Sequence, residues 1–312
     1  DRRWWNLTTA FGDRKTTAII NRLDRLSVGY TTERTAWRFG RQAISWGNGL
    51  VFNPMDVFNP FDPAAVDKEY KTGDDMLYGQ YLFSNGDDLQ AVAVVRRDPL
   101  TGRVEQDQSS LAGKYHGFLG GGEFDLLAAE HFGDTLLGAG GTLALGGAVA
   151  RGDVTWTQTT GGDVFSAVAS LSYSWTWGGR NVSGIVELHR NGFGQPDGDY
   201  GLGDLAANTE LLQRLARGEL YTLGRRYAAA SMTIEVTPLF RFTPNLFVNL
   251  EDPSALAQLV LSWDWQENIQ LLGALSVPLG PDGSEYGGIK VEQGGPYLST
   301  GASLFTQLAW YF

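Results

Sequence analysis

Apolar and polar residues alternate with a period of two along much of this chain. The clearest stretch is 164–177. Phe165, Ala167, Ala169, Leu171, Tyr173, Trp175 and Trp177 fall on one face, and Ser166, Val168, Ser170, Ser172, Ser174 and Thr176 on the other. A strand turns successive side chains to opposite sides, so this spacing predicts a strand with one greasy and one small, polar face. Comparable segments recur at 3–9, 25–30, 36–44, 76–84, 89–96, 109–118, 123–131, 135–142, 147–157, 181–189, 227–236, 239–250, 255–265, 269–277 and 304–312. That is about sixteen strands, bracketed by 14 and 18, in an all-β chain read as one domain over 1–312.

Turn chemistry separates them. Asn85-Gly86 tolerates positive φ and marks a hairpin, and Gly178-Gly179, Thr32-Glu33 and Gln266-Glu267 mark other short turns. Three connections are long: 45–75, 190–220 and 278–299. They follow the third, eleventh and fifteenth strands, so all three fall on one side and the short turns on the other. An even strand count returns both chain ends to the short-turn side. Within 190–220, Asp204 is placed to cap one short helix over 205–217, with Leu205, Leu211, Leu212 and Leu215 as its apolar stripe.

Composition changes the meaning of the alternation. The net charge is 24 − 35 = −11, which excludes a nucleic-acid partner because phosphate binding takes a basic face. No apolar run reaches the 18 residues of a transmembrane helix. The first residues, Asp1-Arg2-Arg3-Trp4-Trp5, do not read as a signal peptide, so a mature or truncated product is expected. A soluble sandwich would bury its apolar face. Here that face carries Tyr30, Trp175, Trp177, Trp263 and Trp265 near strand ends, as an interfacial girdle does, while the other carries Arg151, Asp153, Glu187, His189 and Asp264. The expectation is a transmembrane antiparallel β-barrel, apolar outside and wet inside, with no unpaired edge.

The last stretch, 304–312, alternates up to Trp310 and a terminal Phe312. It resembles the C-terminal signature of bacterial outer-membrane β-barrel proteins. The resemblance implies that Trp310 and Phe312 are read by the barrel-assembly machinery. It also implies integral residence in a bacterial outer membrane, against lipid and lipopolysaccharide, with both termini periplasmic.

The 45–75 segment holds Asn53-Pro54-Met55-Asp56 and Asn59-Pro60-Phe61-Asp62, the same pattern six residues apart. Each proline fixes φ and each aspartate can take nearby amides, so the segment is expected to be rigid. Val51, Phe52, Met55, Val57, Phe58 and Phe61 make it too apolar for a solvated loop. Two placements fit: folded into the lumen, or packed among outer loops. The inward one makes Phe52, Asn53, Asp56, Phe58, Asn59 and Asp62 a constriction. With Arg41-Gln42 and Trp46-Gly47 ahead of it, the stretch is similar to an Arg-Gln…Trp-Gly…Asn-Pro-x-Asp pattern of poorly characterised, porin-like outer-membrane barrel families, which implies a barrel with an inserted loop.

Arg25, Arg38, Arg96, Lys114 and Arg151 are expected on the lumen face, as are Asp125, Asp153, Glu187, Glu235 and Asp264. Opposed walls would order polar solutes; mutual salt bridges would only stiffen the wall. Arg41 breaks the alternation set by Arg38 unless a bulge intervenes. The histidines at 116, 131 and 189 are scattered and no Gly-x-Ser-x-Gly elbow exists, so no enzyme, metal site or cofactor is expected. Asp197, Asp199 and Asp204 are read as an exposed acidic loop, with calcium as the alternative. The function expected is diffusion of small polar or amphipathic solutes past the loop after the third strand. The rivals are an occluded barrel serving as scaffold or partner for another envelope protein or exporter, and a transporter of hydrophobic compounds. A homo-oligomer is open.

Overall fold

The computed structural model describes residues 2–14, 17–68, 70–291, 297–299 and 301–312. β1 (Thr8–Arg14) and β2 (Thr17–Arg22) make a hairpin of their own. The main sheet begins with β3 (Leu26–Thr31), β4 (Thr35–Gln42), β5 (Asp74–Leu82), β6 (Asp88–Val94) and β7 (Ser110–Leu119). It continues through β8 (Gly122–His131), β9 (Asp134–Leu145), β10 (Ala148–Thr159), β11 (Gly162–Trp177) and β12 (Arg180–Arg190). Two helices follow, α1 (Leu202–Ala207) and α2 (Thr209–Arg217). Then come β13 (Arg226–Thr237), β14 (Phe240–Asn249), β15 (Ser254–Gln266) and β16 (Ile269–Leu279). A small ladder of β17 (Ile289–Lys290) and β18 (Tyr297–Leu298) precedes β19 (Ser303–Trp310).

Fifteen strands form one antiparallel sheet, each beside its sequence neighbour from β3 to β16, with β19 beside β16. The edges are β3 and β19. The connections 43–73, 95–109, 191–225 and 280–302 all lie at one end, and the opposite end has short turns such as Asn85-Gly86 and Gly178-Gly179. Asn85 closes its turn by donating to Asp87 Oδ2 at 2.7 Å.

Burial is inverted relative to a water-soluble sheet. Along β11 the apolar face is open, with Trp177 63% exposed, while Ser166, Val168 and Ser170 are buried. Along β10 the buried residues are Asp153, Thr155, Thr157 and Thr159. Tyr30, Tyr81, Trp175, Trp177, Trp263, Trp265 and Trp310 are exposed on the outer face near the short-turn end. Tyr173 stacks on Trp175 at 6.0 Å, and Trp263 lies 5.9 Å from Trp265. Amphipathic rings collect where apolar and wet surroundings meet, so this band marks an interface.

Two expectations are corrected. The first strand expected, 3–9, is not in the sheet. Residues 2–5 instead cross the rim, where Arg3 bridges to Arg96, Arg97 N donates to Arg2 O at 2.7 Å and Trp5 N donates to Asp75 Oδ2 at 2.7 Å. Among the described residues the sheet therefore has fifteen strands, inside the expected bracket of 14 to 18. An odd count puts the two ends of the run on opposite sides: residues 2–5 lie at the long-connection end and Trp310 at the short-turn end. The helix over 205–217 is divided, because the Asn208 side chain accepts from Leu211 N and caps α2. Asp204 lies inside α1, and Leu212 is exposed while Leu205 and Leu211 are buried.

The Arg38–Arg41 question is answered without a bulge. Pairing across β3, β4 and β5 stays in step. Arg41 and Asp75 meet on the outer side of the rim, Nε to Oδ1 at 2.8 Å, and the guanidinium also donates to Leu23 O and Trp5 O. Trp4 and Trp5 pack on Phe39 at 6.3 and 5.4 Å beside this pair.

Candidate functional site

The 43–73 segment crosses the polar face of the sheet and is tied to strands far apart along it. Trp46 Nε1 donates to Gln90 Oε1 on β6 at 2.7 Å. Asn48 Nδ2 donates to Asp125 on β8 at 3.0 Å and to Asp153 on β10 at 2.8 Å. Asn48 N and Gly49 N donate to the other Asp153 oxygen at 2.7 and 3.2 Å. The next three amides converge on Glu187 of β12: Leu50 N at 2.9 Å, Val51 N at 3.2 Å and Phe52 N at 2.6 Å. Gln258 on β15 donates to Ala64 O at 2.9 Å. One short segment can touch β6 and β15 only if the sheet curls around it.

Aromatic packing completes the fit. Phe52 stacks on His189 at 4.7 Å and lies 5.6 Å from Tyr227. Phe58, 1% exposed, meets Trp46 and His131 edge-on, both at 5.5 Å. Met55 is fully buried among strand side chains from β5 to β9. Asp56 forms an ion pair with Lys71. Asp62 Oδ1 accepts from Ala64 N at 2.9 Å, Asn53 O accepts from Asp56 N, and Asn59 sits at φ +55°. The Asn-Pro-x-Asp repeats thus work as turns that keep the segment compact.

Gly47 permits a tight bend. Its φ is +90°, and a Cβ there would lie 2.0 Å from Asn53 Oδ1. Gly47→Ala is expected to lower unfolding stability by about 1–3 kcal/mol, read from the denaturant midpoint of the detergent-solubilised protein. A midpoint equal to that of the parent would show that the bend is not required.

The other expected wall charges are placed as follows. Lys114 binds Asp125 at 3.0 Å, and Arg96 forks onto Asp74 at 2.6 and 3.1 Å. Arg151 donates to Ser172 at 2.8 Å, and Asp264 accepts from Gln270 at 2.8 Å. Arg38 lies 4.9 Å from the Tyr78 ring, Arg25 pairs with its neighbour Asp24 at the rim, and Glu235 accepts from Asn181 at 2.7 Å. Each charge is answered locally. Trp310 and Phe312 stand outside, their rings 6.5 Å apart.

Space remains at both ends of the polar face. Toward the short turns the inner face is polar and half-exposed, with Arg151, Ser172, Thr233, Thr243, Asn245 and Asp264 along it. At the long-connection end a cavity of about 210 Å³ lies between the inserted segment and the 191–225 connection. Thr155, Thr157, Ser166, Asn191 and Thr222 supply polar groups to it, and Phe52, Phe61, Phe193 and Tyr221 supply rings. Arg214 closes one side, bonded to Asp134 and Glu210 at 2.5 Å each and lying 3.8 Å from the Phe193 ring. Such a lining can stack on one face of a ligand and bond to its hydroxyls. Of these residues the sequence pattern singles out Phe52 and Phe61 in the inserted segment, and none of the others. The period-two run Asp153-Thr155-Thr157 was the available signal.

The third long connection is tied in by Glu285, which accepts from Leu223 N, Tyr227 Oη and Asn249 Nδ2 at 2.8, 2.6 and 2.7 Å. Burial holds its carboxyl above the ordinary range despite these donors. Among the described residues no group of three or more His, Asp or Glu is arranged to hold a metal, and Asp199 Oδ1 accepts from Gly201 N.

No protein-family model matches the sequence, and the search of curated proteins returns no match. Solved structures do match. Wzi, an outer-membrane protein involved in group 1 capsule assembly in Escherichia coli and a carbohydrate-binding β-barrel, aligns with TM-score 0.57 at 13% identity, over 85% of this chain and 68% of its own. OccK10 (OpdN) of Pseudomonas aeruginosa aligns with TM-score 0.42 at 11% identity, over 87% of this chain and 82% of its own. The NanC porin aligns with TM-score 0.30 at 11% identity, over 76% and 99%. With the inverted burial and the sheet curled about its inserted segment, the likeness to Wzi makes this the fold of an outer-membrane β-barrel.

Proposed function

We propose that the protein is an integral outer-membrane barrel whose lumen is obstructed by the 43–73 segment, and that it holds a polyhydroxylated, saccharide-type ligand at its long-connection end. The observation that carries this reading is the chain of bonds from Gln90 through Asp125, Asp153 and Glu187 to Gln258, all made by one packed segment. Next to that segment lies the cavity of hydroxyls, amides and rings. The carbohydrate binding named for Wzi agrees with that lining. In this reading lipid and lipopolysaccharide contact the apolar outer face, and Trp310 and Phe312 serve assembly.

A second reading, a channel for small polar solutes narrowed by the same segment, is favoured by the half-exposed polar wall at the short-turn end. Planar-bilayer recording separates the two. The intact protein is expected to show no steady conductance, and removal of residues 52–61 is expected to produce discrete openings. Steady conductance from the intact protein would replace the obstructed reading with the channel. Retention on immobilised polysaccharide, compared with a bare matrix, tests the ligand, and equal elution from both would reject it.

A further inference from the structure

Beside the first cavity lies a second, of about 230 Å³, with Val57 and Glu219 lining both. Arg2, Arg3, Arg96 and Arg217 line it against Asp74 and Glu219, in a chain whose net charge is −11. Three guanidiniums surround the ring of Phe132, which occupies the β8–β9 turn at φ +53°. Arg2 is 5.9 Å from the ring centre, Arg96 4.6 Å and Arg217 4.2 Å. Two of them are answered by carboxylates: Arg96 by Asp74 at 2.6 Å, and Arg217 more distantly by Glu219 at 3.7 Å.

Arg2 is different. Its Nη1 is buried without a hydrogen-bond partner, and so is the side-chain amide nitrogen of Asn59. Both of these atoms are donors on this cavity; the third orphaned atom on it, Glu219 Oε1, is an acceptor and faces Arg217 at 3.7 Å. Leaving a buried donor unmade is costly, and a charged one more so. Asn59 also holds a left-handed backbone, which residues other than glycine adopt sparingly. Burial, followed by the charge of Arg217, lowers the Arg2 pKa below its ordinary value, against the opposing charges of Glu219 and Asp98. The backbone beneath Arg2 is fixed, because Arg97 N donates to Arg2 O and the next residues are bound to Gly73 and Asp75.

We propose that this cavity binds a phosphate group, with Arg2, Arg217 and the Asn59 amide as donors. Donors arriving from separate directions suit an oxyanion with three or more oxygens, and guanidinium is the side chain best matched to it. The phosphate can be dissolved or carried on a lipid headgroup, and the two sources are distinguishable. The full chain in neutral detergent is titrated with inorganic phosphate while ³¹P linewidth is followed. It is also titrated with phosphatidylglycerol in mixed micelles, against phosphatidylcholine as control.

Saturable broadening by inorganic phosphate assigns a soluble ligand, and saturation by phosphatidylglycerol alone assigns a headgroup. In either case Arg2→Gln and Arg217→Gln should each weaken binding by about tenfold. Arg2→Gln removes no hydrogen bond made by Nη1, so its fold is preserved, and Arg2→Lys should recover part of the affinity. Absence of saturation in both arms overturns the proposal. So does binding that is indifferent to Arg2→Gln.

Discussion

Glu187→Ala is expected to free the front of the inserted segment and cost about 3 kcal/mol or more of stability. Glu187 is 2% exposed, and its two oxygens are shared by the amides of Leu50, Val51 and Phe52. A buried donor left without an acceptor costs roughly 1–3 kcal/mol, and this change orphans three in a row. The loss is concentrated in the segment, since the pairing of β12 with β11 and β13 runs through backbone groups. Limited proteolysis should therefore cut within 43–73 while the strands stay intact, and the same variant should conduct in a bilayer. A variant that keeps both the parent's unfolding midpoint and its resistance to protease would show that the Phe52–His189 stack and the Asp153 bonds hold the segment without Glu187.

Asp75→Ala carries the other large effect, at the outer rim. Arg41 is 0% exposed, and Asp75 takes its Nε and Nη2 while also accepting Trp5 N. Removing one member of a buried pair leaves an uncompensated charge, at a cost of about 3–5 kcal/mol. Residues 2–5 lose one of their anchors at the same time, so the tryptophans stacked near Phe39 should become mobile and tryptophan emission should shift to the red. The double variant Asp75→Leu with Arg41→Met removes both charges and should recover most of the loss. If the single and double variants unfold at the same midpoint, the charge itself is not what the rim must satisfy.

Much of the wall was legible from local sequence alone. The alternation of 164–177 gives β11 its two faces, and Asn85-Gly86 gives a hairpin turn, because both rest on neighbours in the chain. The apolar content of the 51–61 stretch already set it apart from a solvated loop. Its partners were harder to read. Glu187 reads as a wall charge, yet its acceptor oxygens are used by amides 135 to 137 residues earlier. Arg41 and Asp75 are separated by 34 residues and are covered by Trp5, which no periodicity indicates. Asn208 divides the expected helix because a short amide side chain competes for backbone donors, an effect a leucine stripe does not record. The cavity residues Asn191, Arg214 and Tyr221 belong to a connection whose course is set only by tertiary contact.

The sheet has two edge strands, β3 and β19. β3 and β19 both run from the long-connection end toward the short turns, as follows from fifteen antiparallel strands in sequence order. Strands that travel the same way can join directly only through a parallel ladder, with its slanted bonds. An all-antiparallel join takes an odd number of further strands between them. A direct join would differ in kind from the antiparallel pairing along the rest of the sheet. β3 is also short and exposed along its whole length, so the wall is thinnest there. A lateral separation of the wall would start at β3 and β19.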